Sequence, residues 1–188
     1  MGKIKRLFKR LSLSCVILAL VGCDSLVNPS SIQSFSLTRL DGATIRVVKS
    51  DNPKVLVFHL WATWCNTCME ELPGFLEFSK SLPETDYEVY LIAVKDKKSE
   101  VRKAINEYSI SQNVYLDSLG RTMVILGTTG VPFTAFADNQ LKLISISDPL
   151  KFESPSLRKV TRFHGPRDWL NKEWLNLFFL EVKDHFSQ

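Results

Sequence analysis

The chain has 188 residues and a formal net charge of +4, from 24 lysines and arginines against 20 acidic residues. Five of the basic residues lie within the first ten positions, so the rest of the chain has 19 basic and 20 acidic residues and a net charge of −1. This balance argues against a nucleic-acid partner, and a chain of this length can bury a core without structural disulfides.

Residues 1–22 predict an export signal. A basic cluster precedes the apolar run from Leu11 to Val21, which is too short to span a bilayer, since a spanning helix needs about 20 apolar residues. The sequence Leu20-Val21-Gly22-Cys23 resembles the lipobox of bacterial lipoproteins. That resemblance implies that Cys23 is lipidated and becomes the mature N-terminus, and Asp24 favours retention in the inner membrane. An ordinary signal peptide with a chance cysteine is the alternative.

Residues 23–34 are predicted to be a polar tether, and residues 35–188 a single domain. The domain opens with a hairpin around an Asp41-Gly42 turn. The run from Val55 to Trp61 is apolar almost without alternation, as is typical of a central parallel strand covered on both faces.

The rest of the chain alternates helices and strands. Helices are predicted over 65–80, 99–108 with Ser99 as its N-cap, 121–126 and 168–182, and strands over 88–94, 113–116, 133–137, 141–146 and 159–163. In the second of these helices, Val101, Ala104, Ile105 and Tyr108 are predicted to lie on the buried face, and residues 147–158 are predicted to form a polar loop. This order predicts an α/β fold with a mixed sheet flanked by helices.

Two of the four cysteines form a close pair. If the lipoprotein signal is processed as expected, Cys15 leaves with it and Cys23 carries lipid, so Cys65 and Cys68 remain as thiols that can react. Cys65 lies where a buried strand passes into a helix, and the helix dipole there favours a thiolate. The spacing lets Cys68 attack a mixed disulfide at Cys65, so the pair is predicted to cycle between dithiol and disulfide.

The surrounding motif resembles the TlpA/ResA/CcmG branch of the thioredoxin superfamily. The resemblance covers roughly residues 35–165 and rests on Trp61-Ala62-Thr63-Trp64-Cys65-Asn66-Thr67-Cys68, Glu71-Leu72-Pro73 and Gly130-Val131-Pro132-Phe133-Thr134. It implies a thioredoxin-like fold with an N-terminal hairpin extension, Cys65 as nucleophile and Cys68 as resolving thiol. It also implies a cis peptide bond at Pro132 beside the cysteines, and modulating roles for Glu71 and Trp64.

Two residues near the pair have alternative interpretations. Glu71 either influences thiol protonation or is a solvated helix glutamate. His59 stands where thioredoxins have a buried aspartate and this branch usually an asparagine. It either accepts the proton of Cys68 or is a hydrogen-bonded core histidine.

The resemblance implies a membrane-anchored reductase of protein disulfides, facing the periplasm or extracytoplasmic space. Its substrates would be disulfide-bearing exported proteins, among them apocytochrome c, and a thiol donor in the membrane would reduce it again. No cofactor is expected. A thiol oxidase or isomerase is the alternative, and a copper or zinc carrier is a weaker one because no second ligand pair accompanies the cysteines. Ala62 replaces the threonine that a peroxidase of this fold would need.

Overall fold

A computed structural model describes residues 32–147 and 159–187. The predicted export signal, the lipidation site Cys23 and the polar residues 148–158 lie outside the described residues. Of the predicted tether only its last three residues are described. Ile32 is buried, and its N–H donates to the carbonyl of Leu141 at 2.7 Å. The predicted tether is therefore too long at its C-terminal end, because Ile32 already packs into the domain.

The described residues form nine strands and four helices. The strands are β1 Phe35–Arg39, β2 Thr44–Val47, β3 Val55–Trp61, β4 Tyr87–Val94, β5 Val114–Asp117, β6 Phe133–Ala137, β7 Ile146–Ser147, β8 Lys159–Val160 and β9 Arg162–His164. The helices are α1 Asn66–Ser81, α2 Lys98–Glu107, α3 Arg121–Leu126 and α4 Lys172–Phe186. The predicted hairpin, central strand and short third helix are confirmed.

Seven strands make one mixed sheet in the order β2-β1-β5-β4-β3-β6-β9. Strands β3, β4 and β5 run parallel, whereas β6 pairs antiparallel with both β3 and β9. Strands β7 and β8 form a separate antiparallel pair. The predicted α/β fold with a mixed sheet and an N-terminal hairpin is confirmed.

Strand β3 lies in the middle of the core, and all seven of its residues are buried. Because successive side chains of a strand point to opposite faces, Val57 and Trp61 join the apolar cluster of α1, α2 and α4. Phe58 and Leu60 join the cluster of α3 and the N-terminal hairpin on the other face. The lack of alternation in this run thus follows from burial on both sides. It also places His59 on the same face as Trp61, below α1.

Four predicted boundaries are wrong. Residues 141–146 do not form one strand along β6, because β9 pairs with Phe133, Thr134 and Ala135. They turn back on the end of β6 through the Ala137–Leu143 bridge and a hydrogen bond from the Ile144 N–H to the Phe136 carbonyl. The predicted strand 159–163 divides into β8 and β9, which belong to different sheets. Ser99 lies within the first turn of α2, since the N-cap is Lys97. The last helix starts at Lys172 because the side chain of Asn171 caps it.

Candidate active site

The two cysteines lie at the start of α1 and are joined by a disulfide. Cys65 is the N-cap residue, and its Sγ accepts the N–H of Cys68 at 3.2 Å. Cys65 is 8% exposed, whereas Cys68 is fully buried. The unpaired N–H groups at a helix start stabilise negative charge, so a thiolate at Cys65 would be favoured while Cys68 stays behind it.

A loop before β6 forms the second wall of the site. The Val131–Pro132 peptide bond is cis, as the resemblance implied. The Sγ of Cys65 lies 3.7 Å from the carbonyl oxygen of Val131. The N–H of Gly165 donates to the carbonyl of Pro132 at 2.9 Å. The chain after β9 therefore holds this loop against the cysteines.

The loop after β4 supports the residues that lead into Cys65. The carboxylate of Asp96 accepts the N–H of Thr63 at 2.6 Å and the hydroxyl of Thr63 at 2.9 Å. The indole N–H of Trp64 donates to the carbonyl of Lys95 at 3.2 Å, although the ring is 58% exposed. Trp64 is thus anchored at one edge, and its face is open to solvent beside Cys65.

Glu71 is buried, so the interpretation as a solvated helix glutamate is wrong. It is 8% exposed, and its Oε2 accepts the backbone N–H of Arg167 at 2.7 Å. The indole N–H of Trp169 also faces this carboxyl, although its geometry falls short of a full hydrogen bond. Desolvation raises the pKa of Glu71 to about 7, against the lowering effects of the Arg167 N–H, Trp169 and the Arg167 charge. The carboxyl can therefore gain or lose a proton near neutral pH.

His59 is fully buried and neutral. Its Nδ1 lies 2.8 Å from the hydroxyl of Thr134, which confirms a hydrogen-bonded core histidine. Its Nε2 lies 3.7 Å from Oε1 of Glu71. The ring stacks on Phe75 at 3.8 Å between centroids. Burial lowers the pKa of His59 to about 3, so the imidazole carries no charge at neutral pH. Direct proton transfer from Cys68 to His59 stays a prediction.

Comparison with known proteins identifies the family. Residues 30–147 match the family model described as AhpC/TSA. The chain belongs to the AhpC/TSA family. Sporulation thiol-disulfide oxidoreductase A of Bacillus subtilis is 29% identical over 111 residues, which cover 56% of this chain and 64% of that protein. The chain thus spans less than two thirds of this curated relative. The resemblance to thioredoxin-superfamily oxidoreductases is confirmed.

Solved structures share the fold at low identity. The crystal structure of StoA from Bacillus subtilis has a TM-score of 0.56 and 18% identity, over 78% of this chain and 99% of that one. The exposed lipoprotein thioredoxin Etrx1 from Streptococcus pneumoniae has a TM-score of 0.56 and 20% identity, over 80% and 98%. These likenesses show the thioredoxin-like fold.

Asp96 is a site residue that sequence reasoning missed in this AhpC/TSA-family chain. It follows β4, and Thr63 follows β3, and these two strands are parallel neighbours. The carboxyl ends of parallel strands meet at one edge of a sheet, so the position of Asp96 after a buried strand was the available signal. Arg167 and Trp169 carried no such signal, because they lie in an irregular segment before α4.

The described residues contain neither a metal-binding cluster nor a membrane-spanning helix. Within residues 32–147 and 159–187, no group of three or more His, Cys, Asp or Glu side chains is arranged to hold a metal ion. In the same ranges, no helix is long and apolar enough to cross a membrane.

Proposed function

We propose that this chain is a thiol–disulfide oxidoreductase that reduces disulfides of exported proteins. The observation that carries the proposal is the Cys65–Cys68 disulfide at the start of α1, with Cys65 8% exposed and Cys68 fully buried behind it. The similarity to a thiol-disulfide oxidoreductase of Bacillus subtilis supports the same chemistry.

The reaction has two exchange steps. The thiolate of Cys65 attacks one sulfur of the substrate disulfide, which forms a mixed disulfide and releases the other substrate sulfur as a thiolate. The thiolate of Cys68 then attacks Cys65 Sγ. The Cys65–Cys68 bond forms, and the second substrate sulfur leaves as a thiolate. The substrate gains two electrons, and the protein must be reduced again by a thiol donor.

Glu71 is proposed to take the proton that Cys68 must lose before it attacks. It lies three residues after Cys68 in α1, so the two side chains share one face of the helix. Its pKa of about 7 means that the ionised form, which accepts the proton, is well populated at neutral pH.

Pro132 and Trp64 are proposed to border the surface that the substrate contacts, because both lie beside Cys65.

The cellular setting belongs to the same proposal. Residues 1–22 are proposed to be removed as a lipoprotein signal, and lipidated Cys23 to anchor the domain in the membrane, with Asp24 favouring the inner one. The domain would then face the periplasm or extracytoplasmic space, where disulfides form. Exported proteins such as apocytochrome c are the proposed substrates, and a membrane thiol protein is the proposed donor.

The reduction potential of the Cys65–Cys68 pair tests the direction of electron flow. We expect a value of about −270 mV, the thioredoxin range, measured by equilibration with glutathione. A value of about −120 mV would make the protein an oxidase instead.

Mass spectrometry of the membrane fraction tests the anchor. We expect acyl chains on Cys23 in the wild type, and a Cys23→Ser variant that is lost from the membrane.

A further inference from the structure

His59 has one ring nitrogen bound and one exposed to the carboxyl of Glu71. Nδ1 pairs with the hydroxyl of Thr134 at 2.8 Å. Nε2 is buried and has no hydrogen-bond partner among the described residues. Its charged neighbour is Oε1 of Glu71, at 3.7 Å, which exceeds a hydrogen bond by about half an ångström. A buried nitrogen held this close to a carboxyl needs an explanation.

The surroundings of Glu71 indicate which nitrogen of His59 carries the proton. From the segment after β9, the carboxyl meets the Arg167 backbone N–H, the Arg167 charge and the Trp169 indole N–H. From its own helix, the redox-active Cys68 lies one turn earlier. Among the described residues, the groups that meet the carboxyl from the segment after β9 are thus donors or a cation. A lone pair on Nε2 would be repelled by the carboxylate, so we infer that Thr134 donates to Nδ1 and that Nε2 carries the hydrogen.

The imidazole is held in place and kept neutral. Phe75 stacks on one face of the ring, with an interplanar angle of 15°, and Trp169 meets it edge-on at 5.9 Å. Desolvation lowers the pKa of His59 to about 3. A cationic imidazolium would keep Glu71 ionised by charge pairing, whereas a neutral N–H stabilises the carboxylate less and leaves it able to exchange protons.

We propose that His59 is a positioning residue, whose Nε2–H steadies the carboxylate of Glu71 to receive the proton of Cys68, and that Thr134 sets the required tautomer. The inference rests on the proposed function. In the step concerned, the proton of Cys68 passes to the carboxylate, the Cys68 thiolate attacks Cys65 Sγ, and the substrate sulfur leaves as a thiolate. His59 neither gains nor loses a proton.

Two substitutions of His59 distinguish the role of Nδ1 from that of Nε2. In His59→Asn, the side-chain amide falls where Nδ1 was, so the contact with Thr134 can persist while nothing reaches Glu71. In His59→Gln, the longer side chain places an N–H where Nε2 was. Asparagine is therefore the loss variant and glutamine the rescue. Thr134→Val retains the imidazole but removes the hydroxyl that orients it, and serves as well if His59→Asn does not fold.

Each reduced protein is mixed with the aromatic disulfide dithiobis(nitrobenzoate), and the release of coloured thionitrobenzoate is followed by stopped flow from pH 5 to 9. The first phase reports attack by Cys65, and the second reports attack by Cys68 on the mixed disulfide. The rate of the second phase depends on pH, and the part of this dependence that disappears in Glu71→Gln is assigned to Glu71.

We expect His59→Asn to raise the midpoint pH of that part by about one unit, and His59→Gln to restore it. Thr134→Val should raise it by a smaller amount. An unchanged or lowered midpoint in His59→Asn and Thr134→Val overturns the inference. Loss of the first phase in the wild type would instead overturn the proposed function, because Cys65 would not be a nucleophile.

Discussion

The two sides of the first turns of α1 are stabilised in different ways. The exposed rim is held by hydrogen bonds to neighbouring loops and consists of Thr63, Trp64, Cys65, Asp96 and Val131. The buried chamber combines ring contacts with the His59–Thr134 hydrogen bond and consists of His59, Glu71, Phe75, Thr134 and Trp169. Trp64 of the rim is 58% exposed, whereas no residue of the chamber is more than 8% exposed.

This difference separates the two demands of thiol–disulfide exchange. An attacking sulfur must meet a large substrate, so Cys65 needs access. A group that takes up a proton near neutral pH needs a shifted pKa, and burial supplies that shift for Glu71. Cys65 caps helix α1 and Glu71 lies six positions later within it, so one element positions both the sulfur and the carboxyl.

The largest expected effect separates the two cysteines. Cys65→Ser should reduce turnover of a disulfide substrate to the uncatalysed level, because no nucleophile remains at the rim. Cys68→Ser should retain the first attack and accumulate a mixed disulfide with the substrate. Mass spectrometry under non-reducing conditions measures the adduct. An equal adduct yield in the Cys65→Ser variant would contradict the assignment of roles.

Two aromatic truncations should separate the chamber from the rim in stability. Phe75→Ala should lower the free energy of unfolding by about 3–5 kcal/mol, because it opens a cavity under the His59 ring. Trp64→Ala should cost less than about 1 kcal/mol, because the ring is 58% exposed. Urea denaturation measures both. Similar midpoints for the two variants would show that the chamber is not the stabilised region.

Glu71 should weaken the fold as pH rises. Its pKa is raised from 4.5 to about 7, so the folded state binds the proton more tightly and its stabilising effect is lost as pH rises through 7. The full difference is about 3 kcal/mol at most. Compared with the wild type, Glu71→Gln should therefore raise the free energy of unfolding by more at pH 8 than at pH 5, as measured by urea denaturation. The exposed neighbour provides the control, since Glu70→Gln should leave this difference as in the wild type.

His59 makes the free energy of unfolding change with pH in the opposite direction from Glu71. Its pKa is lowered from 6.5 to about 3, so its contribution is present above pH 6.5 and is lost as pH falls towards 3. In the wild type, the effects of Glu71 and His59 on the free energy of unfolding oppose each other between pH 4.5 and 6.5. Glu71→Gln should reveal a free energy of unfolding that increases with pH across this window. A flat profile would show that His59 is not desolvated.

The last prediction concerns the support of the rim. Asp96→Asn should cost about 1–2 kcal/mol, because the carboxylate accepts charge-assisted hydrogen bonds from Thr63. It should also slow attack by Cys65, measured in the first phase of the stopped-flow assay. The exposed residue Asp51 offers a control, and Asp51→Asn should change neither quantity. An unaltered first phase in Asp96→Asn would limit Asp96 to a role in stability.

Local signals in the sequence identified the elements that carry the site. The nearly continuous apolar run of β3 predicted a strand buried on both faces, and the motif at Pro132 implied its cis bond. The same reasoning failed for residues 141–146. Their pattern suits a strand, but β9 takes most of the β6 edge that they would have needed. Pairing partners depend on competition between distant segments, which a local pattern does not contain.

The sequence by itself determined that Cys65 and Cys68 lie at a helix start after a central strand, because hydrophobic pattern and helix-terminal position are local properties. Only the tertiary structure decided the state of Glu71. The residue that donates to it, Arg167, is 96 positions away, and His59 approaches from another element. A pKa reflects the desolvation and charge supplied by everything packed around a group, so it exists only once those segments have met.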